Sequence, residues 1–105
     1  MNQTITYDHR ADVAVDGDFD LAEVLGIRSK LGRLLDEGQV AIDVDLSGVS
    51  FMDCAALNVL LWAHAATGHV GGELRIVKVS DTARRFLDLG AGVKPYPAGA
   101  LALPA

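Results

Sequence analysis

The stretch Val40-Ala41-Ile42-Asp43-Val44-Asp45-Leu46-Ser47-Gly48-Val49-Ser50-Phe51-Met52-Asp53 decides how this chain folds. Val40, Ile42, Val44 and Leu46 alternate strictly with Ala41, Asp43 and Asp45, the period-two pattern of a strand with one face buried. Carboxylates at 43 and 45 do not suit a sheet covered on both sides. The pattern therefore predicts helices mainly on one face and a partly wet opposite face. Ser47-Gly48 turns or bulges the chain, Val49–Met52 continues it, and Asp53 stands ready to cap a helix.

Upstream of this strand, Asp20 with Glu23 three residues later reads as a capping box, with Asp in place of Ser or Thr. Leu21, Val24, Leu25, Leu31, Leu34 and Leu35 then follow at helical spacing, and Gly38 is the stop signal. Before that helix, Gln3–Arg10 and Asp12–Phe19 each alternate weakly. A turn between Tyr7 and Asp12 would pair these two as antiparallel strands.

Downstream, Asp53 opens a second helix through Leu57, Leu60, Leu61, Ala65 and Gly68, broken at Gly71-Gly72. Leu74, Ile76 and Val79 begin another strand. Ser80 and Asp81 cap a short third helix with Ala83, Phe86, Leu87 and Leu89 on its apolar side. Val93–Pro97 reads as a last strand, confined to an edge by Pro95 and Pro97. The expected order is β-β-α-β-α-β-α-β, an α/β fold with a mixed sheet of about four or five strands. Residues 1–97 form one domain in this reading, and 98–105 a short apolar tail.

Bulk properties narrow the function classes. The 105 residues suit a single domain that buries its own core. No apolar run approaches the roughly 20 residues of a membrane span, and MNQTITYDHR does not read as a signal peptide. Membrane insertion is not expected. Cys54 is the only cysteine, so no internal disulfide forms and a cytoplasmic location is the expectation. The net charge is −5, with eleven of the fourteen acids before residue 54 and no basic cluster, which argues against a nucleic-acid partner.

The segment Val44–Asp53, VDLSGVSFMD, resembles the signature of STAS domains, where an apolar strand runs into D-L-S-x-V-x-x-[MI]-D. Three further segments agree: Gly17-Asp18-Phe19-Asp20, Gly71-Gly72-Glu73-Leu74, and Ser80 to Gly90 as S-x-x-x-R-R-x-x-x-x-G. Together they span residues 12–92 in the family's order. The resemblance is to the anti-sigma factor antagonists, and it implies a STAS-like fold whose recognition surface centres on the start of the second helix. It also implies a partner, an anti-sigma factor that is a serine kinase of the histidine-kinase-like ATPase type. In that family the kinase phosphorylates a serine two positions after the aspartate. Here that position is Ala55, which has no hydroxyl and accepts no phosphate. The residues carried over to partner binding are Asp20, Ser50, Asp53, Cys54, Ala55, Ala56 and Asn58.

Two roles compete with that surface for the same residues. Asp20 and Asp53 both read as helix caps, a stability role worth about 1 kcal/mol. Cys54 invites a thiol mechanism, but His64 lies ten residues on, roughly 15 Å away along a helix. A small semi-buried cysteine filling a small-residue slot is the simpler reading. His64 borders the Leu57, Leu60, Leu61 stripe and reads as a half-buried histidine. One cysteine and three dispersed histidines make no metal ligand set, no cofactor motif is present, and no enzyme activity is expected. Ser50 or Thr67 is a further candidate for modification. Trp62 falls off the main stripe, either exposed as an anchor or packed under the tail.

The tail AGALALPA is read as a single turn or a frayed end. An apolar patch left open beside it would favour a homodimer or a partner contact. Two functions stay open at this level. One is an antagonist-like binding module without the phosphoserine switch. The other is a STAS structural or accessory subunit of a signalling or transport assembly.

Overall fold

The computed structural model describes residues 9–90, 94–95 and 101–102. In chain order the elements are β1 (Ala11–Phe19), α1 (Leu21–Asp36), β2 (Ala41–Met52), α2 (Cys54–His69), β3 (Glu73–Val79), α3 (Asp81–Gly90), β4 (Lys94–Pro95) and β5 (Leu101–Ala102). They build one five-stranded sheet in the order β1-β2-β3-β5-β4. The β1–β2 and β2–β3 pairs are parallel, and β5 runs antiparallel to both β3 and β4. The sheet is therefore mixed, with the parallel pairs that the alternation of strands and helices implied and its antiparallel pairs made by β5.

Two expectations at the ends of the chain need separate treatment. The strand read over Gln3–Arg10, with its antiparallel pairing, falls outside the described residues except for His9 and Arg10, which carry no regular structure. The tail is not a turn or a frayed end where it is described. Leu101–Ala102 forms β5 and sits between β3 and the edge strand β4. Two residues of strand leave no alternation to read, so tertiary pairing alone decides this element.

Alternate strand residues supply the core. Val13, Val15 and Phe19 of β1, Ile42, Val44 and Leu46 of β2, and Leu74 and Ile76 of β3 are buried. They join Val24, Ile27 and Leu31 of α1, Val59, Leu60 and Ala63 of α2, and Ala83 and Leu87 of α3 in one cluster. Burying a Val, Leu or Ile side chain is worth about 1.5–3 kcal/mol, so this cluster dominates stability. Between them, the strands direct Asp12, Asp43, Arg75 and Lys78 to the other face, which stays partly wet.

Each helix has local start chemistry, and α1 and α2 have local stops as well. Asp20, Asp53 and Ser80 accept the backbone N–H groups of Glu23, Ala56 and Ala83 at 3.3, 3.1 and 3.1 Å. α1 and α2 end in the same closure. Gly38 and Gly71 take φ of 84° and 80°, and the residue after each donates its N–H to Leu34 or Thr67 at 2.9 and 2.7 Å. That six-to-one bond with a left-handed residue is a Schellman ending, which favours glycine because it lacks a Cβ.

At the amino end of the strands, charge joins three segments. Asp43 accepts the Arg10 Nε at 2.8 Å and the Arg75 Nε and Nη2 at 3.1 Å each, while Arg10 Nη1 reaches Glu73 at 2.8 Å. Burial pushes the Asp43 carboxyl up, but hydrogen bonds from Arg75 and Arg10 and their charges outweigh it. The carboxyl ends below the usual carboxylate range. Arg10 is pushed down by burial and raised more strongly by its bonds to Asp43 and Glu73.

Candidate functional site at the carboxyl end of the sheet

In a parallel β-α-β-α-β unit both helices start where the strands end, so the starts of α1 and α2 lie at one end of the sheet. β2 reaches that end with two irregularities against β1. The register passes from Ala14 opposite Asp45 to Asp16 opposite Gly48, and from Gly17 opposite Val49 to Asp18 opposite Phe51. Asp45 holds the first by accepting the Ser47 N–H at 2.8 Å. Hydrogen bonding from Ser47 also draws the Asp45 carboxyl below its ordinary range. A Cβ at Gly48 would meet the carboxylate of exposed Asp16, which would have to swing aside.

The second irregularity leaves Ser50 as the extra residue of the bulge. Bulges re-aim side chains. Ser50 is exposed and its hydroxyl donates to Asp18 Oδ1 at 3.4 Å. The next residue, Phe51, is 49% exposed, and Met52 returns to the core. Ser47-Gly48 is thus a bulge, and Val49–Met52 does continue the strand.

The residues singled out from the sequence separate into two groups. Asp20, Ser50, Asp53, Cys54, Ala55 and Asn58 are exposed or half-buried around the two helix starts. Ala56 is not among them. It is fully buried in the core, two positions from Cys54 and about 200° further round the helix, so its side chain offers nothing to a partner. Cys54 is exposed instead of filling a semi-buried slot. Thr67 is fully buried, and its hydroxyl donates to the carbonyls of Ala63 and His64 at 2.9 and 3.0 Å, which leaves Ser50 as the accessible hydroxyl of that pair. His64 is half-buried as expected, and its Nδ1 finds no hydrogen-bond partner among the described residues.

Trp62 is not an open anchor. It is half-buried against the core, and the Arg28 guanidinium of α1 stands 4.6 Å from its ring centroid. Leu21 and Leu25, assigned from spacing to the buried stripe of α1, are each 63% exposed. At 100° per residue they fall about 90° and 130° from the centre of the Val24, Ile27, Leu31 face. The exposure of these two leucines and of Phe51 near the helix starts is what sequence reading missed. A stricter helical angle would have found the leucines, but the parity change at Phe51 follows from the bulge.

Among the described residues, no group of three or more His, Cys, Asp or Glu is placed to hold a metal ion. No described helix is long and apolar enough to cross a membrane. What this end of the molecule presents is a surface. Two capped helix starts, an exposed aromatic ring and a bulged serine lie together, with a methyl group at position 55.

Comparison with known proteins assigns the chain to a family. The sequence pattern of the STAS domain matches residues 3–93. The chain belongs to the STAS domain family. Anti-sigma-B factor antagonists of Staphylococcus epidermidis are 30% identical over 87 residues, covering 83% of this chain and 81% of theirs. The anti-sigma factor antagonist SpoIIAA in its unphosphorylated form has the same fold. Its TM-score is 0.64 at 21% identity, over 83% of this chain and 80% of that one. The STAS fold and its resemblance to antagonists, read from four short segments, are thereby established.

Proposed function

We propose that this STAS domain is an antagonist-like binding protein that docks an anti-sigma factor through the start of α2 and the bulge before it. Its partner in this reading is a kinase-type anti-sigma factor of the histidine-kinase-like ATPase class, met in the cytoplasm. The domain acts by occupying that partner rather than by catalysing a reaction. The observation that carries the proposal is the arrangement at the start of α2. Asp53 caps the helix at 3.1 Å, exposed Cys54 and Asn58 flank Ala55, and Ala55 occupies the acceptor-matching position with a half-buried methyl.

The absence of a hydroxyl there gives the proposal its mechanism. A phosphoserine would bring about −1.5 to −2 charges to a docking surface at neutral pH. Ala55 holds this surface permanently in the unphosphorylated form, so binding is constitutive. Relatives that are anti-sigma-B factor antagonists support the partner class.

Calorimetric titration against purified kinase-type anti-sigma factors tests the reading. Micromolar or tighter binding, weakened by Ala55→Asp, is expected. A domain that binds none of them, and instead co-purifies with an unrelated assembly, belongs to the accessory-subunit class.

A further inference from the structure

We draw no further inference here: the strongest candidate, the uncharged outward stripe of α2 formed by exposed Cys54, Asn58 and Ala65, runs on from the docking surface already described, and nothing in the structure shows what else would cover it.

Discussion

The two ends of the parallel strands differ in what holds them. At the amino end, Asp43 gathers Arg10 and Arg75, and Arg10 also reaches Glu73, so three chain segments are tied by charge. At the carboxyl end, β2 bulges twice, Phe51, Leu21 and Leu25 face water, and the polar contacts are helix caps, the local Asp45–Ser47 bond and a long cross-strand bond from Ser50 to Asp18. Cohesion by charge and the proposed docking surface thus occupy opposite ends of one sheet. Apolar side chains left exposed at the recognition end cost little, because the common core and the ion-paired end carry stability.

Breaking the amino end should have the largest effect on folding. Asp43→Ala leaves two half-buried guanidinium groups without their shared acceptor and is expected to cost about 2 kcal/mol in chemical denaturation. The same group sets an acid limit. Its pKa is lowered on folding, so its stabilisation is complete above the unfolded value of about 3.9 and is lost as pH falls through the lower folded value. Denaturation midpoints measured from pH 6 down to pH 3 should fall in wild type and fall less steeply in Asp43→Asn.

At the recognition end, Asp53→Ala removes the cap of α2 and should cost about 1 kcal/mol, measured as a lower melting temperature. Arg28→Ala should be smaller still, about 0.5 kcal/mol, because a partly exposed cation over a ring contributes little. Trp62 is the chain's only tryptophan, so its fluorescence should shift to the red in that variant as the ring gains water. Leu25→Ser should leave stability nearly unchanged, and a loss comparable to Asp43→Ala would contradict the division of roles.

The sequence made some of this division visible and hid the rest for physical reasons. β2 was legible because Val40 to Leu46 alternate without exception, and the carboxylates at 43 and 45 announced an uncovered face. Both helix starts were legible because Asp20 and Asp53 are local signals that need no tertiary partner. The ion cluster was not, since Arg10, Asp43, Glu73 and Arg75 come together only through strand register. Leu21 and Leu25 read as core because leucine at approximate helical spacing suggests burial, and only the angle to Val24, Ile27 and Leu31 separates them. Trp62 read as either exposed or packed under the tail, because its cover, Arg28, belongs to the other helix. Of the proposed surface, the methyl at position 55 was evident at once, but the exposure of Phe51 was not, because it follows from the bulge at Ser50.

The central claim is that this domain docks a kinase-type anti-sigma factor at the start of α2 and escapes its phosphoryl transfer. Mass spectrometry after incubation with that kinase and ATP, on wild type and Ala55→Ser side by side, tests it most directly. The account predicts no added phosphate on wild type and one on Ser-substituted position 55. Phosphate on wild type at Ser50, or none on Ala55→Ser, would contradict it.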